Sequence, residues 1–351
     1  MRSSEYLHRS GFFEYNALVC LRNEYAYNTC STCMDVCPEK AFELIRGKLH
    51  LLVQECTSCG VCIGGCPSGA LSFYEGFDLR ALMRSFAKED KPVLTCKRNV
   101  PCLAVLSVES MMAMGLQAQE TILCDLSQCA SCELNDENTL LPLIESRLDE
   151  AHDVAQRLDA KGFSKEYGIH ETTRRDFFKR LTKTFVSKEM EEEVDITVYR
   201  HWVPAARQEL KYALRGILEH QEAKQERSWS MLHMQHIDER CTNCGDCVQF
   251  CPTGALSYTQ DKTTLLFQGG RCIGCHICHD VCKENAMSTK GNLTLVDFAL
   301  DRAKVLIRHQ LATCSLCRCA FSQKDQELIC SRCAGFEKEH GAMFTLASEL
   351  K

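Results

Sequence analysis

The chain has 351 residues, of which 45% are apolar and 25% are charged, as in globular proteins large enough for several domains. Its net charge of −6 is spread along the chain, which argues against a nucleic-acid partner or an anionic membrane surface. No apolar run approaches the length of about 18 residues that a membrane-spanning helix needs, and the N-terminal residues lack the apolar core of a secretory signal. We therefore expect a cytoplasmic protein with no direct membrane span.

The 26 cysteines set this chain apart from ordinary globular proteins. Most of them lie two or three residues from the next cysteine. At that spacing disulfides would be strained, whereas thiolates converge readily on one metal centre. Without an export signal, the default state of these thiols is reduced. The sequence therefore predicts metal or cluster ligation instead of a disulfide framework.

The first cysteine-rich stretch has two runs, CLRNEYAYNTCSTCMDVCP at 20–38 and CTSCGVCIGGCP at 56–67. Strand-like segments follow or separate these runs: AFELI, KLHLLVQ and ALSFY. Each cysteine loop is thus predicted to lie between short strands and single helical turns.

The second stretch, residues 92–132, has a different pattern. PVLTC and ETILC are typical of buried strands, and CLAVLSVESMMAMGLQ between them is typical of a helix, so the sequence predicts a β–α–β unit. Cysteines gather at the strand ends and at the start of the helix. We expect Cys96, Cys102, Cys129 and Cys132 to hold a cluster, with Cys124 as a spare thiol. The alternatives are a structural zinc site or an ordinary reduced core.

No cysteine occurs between Cys132 and Cys241, and apolar residues at three- and four-residue spacing predict helices there. The segment TTRRDFFKRLTKTF at 172–185 resembles a twin-arginine export motif, but it lies deep in the chain and no apolar run follows it. An amphipathic helix with Phe177, Phe178 and Leu181 on its apolar face is the simpler interpretation. A helix that docks a partner is the alternative.

The next cysteine-rich stretch repeats the first, with CTNCGDCVQFCP at 241–252 and CIGCHICHDVC at 272–282. The latter also contains the haem-attachment pattern Cys-x2-Cys-His twice, ending at His276 and at His279. These two matches share Cys275, and haem attachment takes place outside the cytosol. The cluster pattern Cys-x2-Cys-x2-Cys-x3-Cys is therefore favoured, with both histidines facing solvent or donating hydrogen bonds near cluster sulfurs.

On these runs, residues 20–75 and 236–290 each resemble a bacterial-type ferredoxin with two 4Fe–4S clusters. The resemblance implies that the fourth cysteine of each run ligates the cluster of the other run. It assigns one cluster each to the Cys56 site (Cys56, Cys59, Cys62, Cys37), the Cys241 site (Cys241, Cys244, Cys247, Cys282), the Cys272 site (Cys272, Cys275, Cys278, Cys251) and the Cys20 site (Cys20, Cys30, Cys33, Cys66).

The Cys20 site departs from the ferredoxin pattern. Tyr27 stands where the family has a cysteine three residues before Cys30, and the nearest upstream thiol is Cys20. An insertion between the first two ligands can bulge as a loop, so we expect Cys20 to be a ligand. The alternative is a 3Fe–4S cluster on three cysteines, with Cys20 free.

The last stretch, CSLCRCAFSQKDQELICSRC, has the spacing of a zinc ribbon. It predicts a zinc ion at the Cys314 site (Cys314, Cys317, Cys330, Cys333). Cys319 is an extra thiol that could replace Cys317 or allow a cluster instead of zinc.

Together these patterns predict an α+β protein with five parts. They are a ferredoxin-like domain (1–85), a cysteine-rich β–α–β segment (86–135), a helical docking region (136–235), a second ferredoxin-like domain (236–298) and a zinc-ribbon-like module with its tail (299–351). The 86–135 segment loosely resembles cysteine-rich segments found beside ferredoxin modules in proteins linked to hydrogenase, formate dehydrogenase and heterodisulfide reductase.

No nucleotide-binding or hydrolase motif accompanies the cysteines. The sequence therefore predicts a multi-cluster electron conduit, with four or five 4Fe–4S clusters and protein redox partners, as a subunit of an oxidoreductase complex of the formate dehydrogenase or hydrogenase type. Two alternatives remain: an enzyme with an open cluster site in 96–132, or a redox-sensing or maturation factor.

Overall fold

The computed structural model describes residues 7–10, 13–25, 28–73, 77–135, 137–168, 201–218, 229–324 and 326–340. All 26 cysteines are among them, whereas Tyr27 and the segment 172–185 lie outside the described residues. The strands are β1 (Leu7–Ser10), β2 (Phe13–Asn16), β3 (Phe42–Ile45), β4 (Lys48–Leu51), β5 (Leu71–Phe73), β6 (Val93–Leu94), β7 (Ile122–Asp125), β8 (Phe163–Glu166), β9 (Gln235–Ile237), β10 (Leu256–Tyr258), β11 (Thr264–Gln268), β12 (Met287–Thr289), β13 (Ala303–Arg308), β14 (Gln310–Thr313) and β15 (Ala320–Gln323).

Most helices are short, and the two longest lie in the middle of the chain. The helices are α1 (Leu21–Glu24), α2 (Thr32–Asp35), α3 (Val61–Gly65), α4 (Leu79–Ser85), α5 (Val108–Gln117), α6 (Leu140–Arg157), α7 (Ala205–Leu218), α8 (Asp246–Gln249), α9 (Ile277–Asp280), α10 (Leu295–Ala299) and α11 (Ser331–His340). Small sheets and helices mixed in this way make the chain an α+β protein.

The first cysteine-rich region contains two antiparallel sheets, one of order β1-β2-β5 and one hairpin of β3 and β4. The hairpin and β5 coincide with the segments expected to be strands. Strands β1 and β2 were not expected, because GFFEYN carries too short an alternation to indicate a strand. β2 gains its partner from residues 71–73, far along the chain.

The β–α–β unit contains parallel strands β6 and β7 with α5 between them. The helix begins later than the sequence suggested, at Val108 instead of Cys102. The Ser107 hydroxyl caps it by accepting a hydrogen bond from the Ser110 amide, and the residues before it form a separate 3-10 turn, Leu103–Val105. Cys102 therefore lies in a loop and not on the helix.

The region expected to be helical, 136–235, also contains a strand, which corrects that prediction. β8 pairs in parallel with β7, so one three-stranded sheet crosses the predicted boundary at 135/136. The sequence FSKE at 163–166 gave no strong strand signal, and the pairing arises because α6 returns the chain to the sheet edge. Strand β13 likewise crosses the predicted boundary at 298/299 by pairing with β11.

The largest core surrounds α5, whose Met111, Met112 and Met114 are fully buried. Helices α6 and α7 pack on α5, and α7 also packs on α10, which ties the middle of the chain to the second ferredoxin-like region. Arg207 on α7 is buried there and donates hydrogen bonds to Glu109 and to the carbonyl oxygen of Cys272. Within the described residues, no helix has the length and apolarity to cross a membrane.

Candidate cluster and metal sites

The cysteine runs fold into tight loops through residues with positive φ. In the run at 56–66, Ser58 and Gly60 have φ of 58° and 75°, and in the run at 241–251, Asn243 and Gly245 have φ of 60° and 86°. Such turns direct backbone N–H groups inward, and the amide of Asn243 donates to the thiol of Cys241. The loops thus surround each thiol set with hydrogen-bond donors.

In three of the four runs, the last cysteine also accepts a hydrogen bond from a backbone amide. The amides of Ala41, Ala70 and Ala286 lie 3.3 Å from the Sγ atoms of Cys37, Cys66 and Cys282, respectively. These bonds fix the thiol that the ferredoxin resemblance assigns to the partner run.

The residues of the Cys20 site come together in the structure. Burial, together with the neighbouring thiols of Cys66, Cys30 and Cys20, raises the pKa of Cys33 to about 12. Tyr15 on β2 is hydrogen-bonded to Cys20. Cys20 thus lies with the other three cysteines despite its distance along the chain, because β2 and α1 bring it back.

The other cysteine set of this region is also assembled. Burial raises the pKa of Cys62, and the adjacent thiols of Cys59, Cys37 and Cys56 act in the same direction. The Cys56 site therefore contains thiols from both runs, as the resemblance implies.

The second ferredoxin-like region repeats this crossed arrangement. Burial, together with the thiols of Cys241, Cys244 and Cys282, raises the pKa of Cys247 to about 12. The structure therefore brings the four thiols of the Cys241 site together.

The Cys272 site is assembled in the same way. Burial raises the pKa of Cys278, and the thiols of Cys272, Cys275 and Cys251 add to the effect. His279 Nε2 donates a hydrogen bond to the side-chain oxygen of Gln235 at 2.7 Å, and His276 is exposed.

The Cys96 site (Cys96, Cys102, Cys129, Cys132) also gathers in one place. Burial, together with the thiols of Cys96 and Cys132, raises the pKa of Cys129 to about 11. Cys102 has Cys59, Cys129 and Cys96 as its thiol neighbours, and its own Sγ accepts from the Ala104 amide as in the ferredoxin loops. Cys124 is buried on β7, and its pKa is affected only by burial and by Lys165.

Two charged side chains that sequence reasoning missed hold the loops of the Cys96 site. Asp125 accepts hydrogen bonds from Ser127, from Lys97 at 3.2 Å and from Thr95 at 3.0 Å. Burial alone would raise the pKa of Asp125, but these bonds outweigh it and lower the pKa to about 2. Arg147 on α6 donates to the carbonyl oxygens of Ala104 and Leu106, both at 2.8 Å.

The five cysteine sites are neighbours in one order. The thiols of Cys102 and Cys59 interact, so the Cys96 site lies beside the Cys56 site. The thiols of Cys62 and Cys33 interact in the same way, which puts the Cys56 site beside the Cys20 site.

Further along, the order passes from the first ferredoxin-like region to the second. Cys30 and Cys275 pack against one apolar cluster, where Leu21 meets Ile273 and Ile277. The rings of Tyr25 and Phe250 lie nearby, 5.6 Å apart. The Cys20 site is therefore beside the Cys272 site.

The order ends at the Cys241 site. The thiols of Cys278 and Cys247 interact, which joins the Cys272 and Cys241 sites. Lys324 of the C-terminal hairpin acts electrostatically on Cys241, so the Cys314 site lies beyond this end.

The four cysteines of the Cys314 site lie closer together than a loose surface group would. Their Sγ atoms all lie within 4.8 Å of one another. Backbone N–H groups of Cys317 and Cys330 lower the pKa of Cys314 to about 6, which favours a thiolate at neutral pH. Cys319 is exposed and is not part of this group.

The five sites fit iron–sulfur clusters in their donors and in their charge. Each brings four thiols together, and thiolate is the ligand that such clusters take. Burial makes these thiolates costly without a compensating positive charge, which the irons of a bound cluster would supply. The buried Tyr258 hydroxyl beside the Cys241 site has no hydrogen-bond partner among the described residues, as expected where a bound cluster would accept its hydrogen bond.

Comparison with known proteins supports the same interpretation. Residues 23–67 and 240–287 each match a family model described as a 4Fe–4S dicluster domain. This chain carries two dicluster ferredoxin domains. The first match begins after Cys20, the expected ligand whose spacing departs from the ferredoxin pattern.

The relatives found among curated proteins are similar over a short region. Archaeal-type glutamate synthases [NADPH] from Thermotoga maritima and from Thermotoga sp. strain RQ2 are each 31% identical over 59 residues, and that of Dehalococcoides mccartyi is 29% identical. The similarity covers 17% of this chain and 12% of the length of each relative. The two matched domains are of the kind that holds 4Fe–4S clusters, which carry single electrons.

Proposed function

We propose that the chain carries electrons along five 4Fe–4S clusters in the order Cys96, Cys56, Cys20, Cys272 and Cys241 sites. The observation that supports this most directly is that neighbouring sites touch along the whole order. Thiols of adjacent sites interact at three of the four steps, and a shared apolar cluster joins the Cys20 and Cys272 sites at the remaining step. A bound cluster supplies a one-electron carrier, and the chain supplies its spacing, burial and hydrogen bonds.

Exposure of the cysteines supports entry and exit at the two ends. Among the five sites, the exposed thiols are Cys96 and Cys132 at one end and Cys244 at the other. The thiols of the three inner sites are buried or half-buried. Redox partners would therefore reach the ends of the row, while protein shields its middle.

We propose that these partners belong to a larger cytoplasmic oxidoreductase complex of the formate dehydrogenase or hydrogenase type, in which this chain is a non-catalytic subunit. The Cys314 site is proposed to bind zinc. Its four cysteine sulfurs lie within 4.8 Å of one another, and sets of four thiolates are typical of structural zinc. Beside the Cys241 site, it would stabilise the surface of that end.

Anaerobic metal and sulfide analysis with EPR-monitored reductive titration tests the proposal. We expect about twenty irons, an equal amount of sulfide and about one zinc per chain, since each 4Fe–4S cluster carries four irons. Reduced clusters should also broaden each other's signals because neighbouring sites lie close. Four to eight irons with several zincs would contradict the conduit and would leave most cysteines with a structural role.

A further inference from the structure

The two ferredoxin-like regions contain a closely matched stretch, residues 56–73 and 241–258. Every cysteine of one has its counterpart in the other, and so do the left-handed glycines Gly60 and Gly245. Both stretches end in a short strand, LSF in β5 and LSY in β10. Phe73 and Tyr258 are therefore equivalent residues in two similar sites, and they differ by the hydroxyl group of the tyrosine.

Each of these rings lies over the glycine of its own loop. A Cβ atom placed on Gly60 would be 2.9 Å from the Phe73 ring, and one placed on Gly245 would be 3.6 Å from the Tyr258 ring and 3.9 Å from its hydroxyl. Tyr258 also packs with Cys241 and Cys247. Both rings therefore face the cysteine loop that follows the first thiol of the run.

The surroundings of the two rings differ in polarity. The centroid of the Phe73 ring lies 4.9 Å from that of Phe13 and 5.6 Å from that of Phe77. The Phe73 side chain has no hydrogen-bond donor. The Tyr258 hydroxyl is buried without a hydrogen-bond partner among the described residues, and such a group destabilises the protein unless something accepts its proton. The side-chain amide oxygen of Asn243, in the loop that Tyr258 faces, is also buried and has no hydrogen-bond partner among the described residues.

We propose that the Tyr258 hydroxyl donates a hydrogen bond to a sulfur of the cluster at the Cys241 site, and that this bond sets the potential of that cluster above the potential at the Cys56 site. The inference rests on the proposed function, since it requires the cluster to be bound. A tyrosine hydroxyl keeps its proton at neutral pH, because its ordinary pKa is about 10.

A hydrogen bond to sulfur stabilises the reduced cluster, which carries one more negative charge, over the oxidised cluster. Reduction therefore becomes easier at the Cys241 site than at its counterpart with phenylalanine. Electrons that enter at the Cys96 end would then move toward the Cys241 end. Tyr258 thus acts on the reduction potential of the cluster and is not itself oxidised or reduced.

The test is Tyr258→Phe in the full chain, followed by EPR-monitored redox titration and by electron–nuclear double resonance in H₂O and D₂O. We expect the midpoint potential of one cluster to fall by about 59 mV, which corresponds to a roughly tenfold change in its one-electron reduction equilibrium. An exchangeable proton coupled to that cluster should disappear with the hydroxyl. The reciprocal variant Phe73→Tyr should raise a different midpoint and add such a proton.

Tyr212→Phe is the matched control, because Tyr212 is 69% exposed on α7, and removal of its hydroxyl should leave every midpoint unchanged. If Tyr258→Phe keeps full iron and sulfide but moves no midpoint and removes no coupled proton, the hydroxyl bonds elsewhere, to Asn243 for example, and the inference is wrong. If the unmodified chain binds no clusters, the proposed function itself is wrong. The iron and sulfide content thus separates the two failures.

Discussion

Cys20 is the residue whose role depends most on the tertiary structure. Ten positions separate it from Cys30, yet it lies beside Cys33 and Cys66, and the Tyr15 hydroxyl bonds to it. The ferredoxin family model begins after it, at residue 23. A sequence pattern can suggest such a ligand, but the contact that brings it to the site comes from β2, a strand with no clear signal of its own.

We expect Cys20→Ser to convert the cluster at the Cys20 site into a 3Fe–4S cluster. The other three thiols would remain in place, so the iron content should fall by about one per chain, with a new EPR signal in the oxidised state. Cys124→Ala is the control, because Cys124 lies apart from the thiol groups and its loss should leave the iron content unchanged. An unchanged EPR spectrum in Cys20→Ser would show that Cys20 is free.

At the scale of elements, the approach of α3 to the 3-10 turn Leu103–Val105 brings the first two sites of the row together. Gly64 makes this approach possible, because a Cβ atom there would lie 2.3 Å from the Ala104 carbonyl oxygen. Arg147 holds that carbonyl from its other side. No sequence pattern indicated this contact, since the two elements are distant along the chain and each has a complete pattern by itself.

Gly64→Ala is expected to destabilise the protein by about 1–3 kcal/mol, because backbone atoms cannot move aside as a flexible side chain would. Denaturant unfolding of the two variants under identical conditions measures the difference. Gly216→Ala is the matched control: it lies on α7 with no atom within 4 Å of the added Cβ, so it should stabilise by about 0.5–1 kcal/mol. Equal effects of both substitutions would contradict the close contact.

The C-terminal module, β14, β15 and α11, has few buried apolar side chains beyond Cys314 and Cys330. We therefore expect its fold to depend on the metal at the Cys314 site. A zinc chelator should make residues 314–340 sensitive to protease, while the visible absorbance of the clusters is retained. Cys319→Ala should behave like the unmodified chain, and a module that resists protease after zinc loss would contradict this dependence.

Much of the local structure followed from the sequence, because the spacing of two residues between cysteines dictates the loop and the strands beside it. The crossed grouping of Cys37 and Cys66 followed from the ferredoxin resemblance. The order of the five sites did not, since it depends on contacts such as Gly64 with Ala104 and Leu21 with Ile277. Strand β8 was missed for the same reason: its partner, and not its own composition, makes it a strand.

For the whole molecule, one row of sites means that loss of an inner site should separate the two ends. In Cys275→Ala/Cys278→Ala, electrons from a photosensitiser attached at Ser131, between two ligands of the Cys96 site, should no longer reduce the Cys241 site. Freeze-quench EPR measures this transfer. The control variant Cys241→Ala/Cys244→Ala should still allow reduction of the Cys272 site. Undiminished transfer in the first variant would indicate a branched arrangement.

The junction between the two ferredoxin domains has a consequence for how the protein responds to ionic strength. Leu21, Ile273 and Ile277 close this junction, so its stability comes from apolar burial, which dissolved ions do not screen. Encounters with charged partners at the exposed ends depend on electrostatic attraction, and dissolved ions weaken this attraction by screening the charges. Added salt should therefore slow the exchange of electrons with other proteins and leave the passage between the two domains at its original rate.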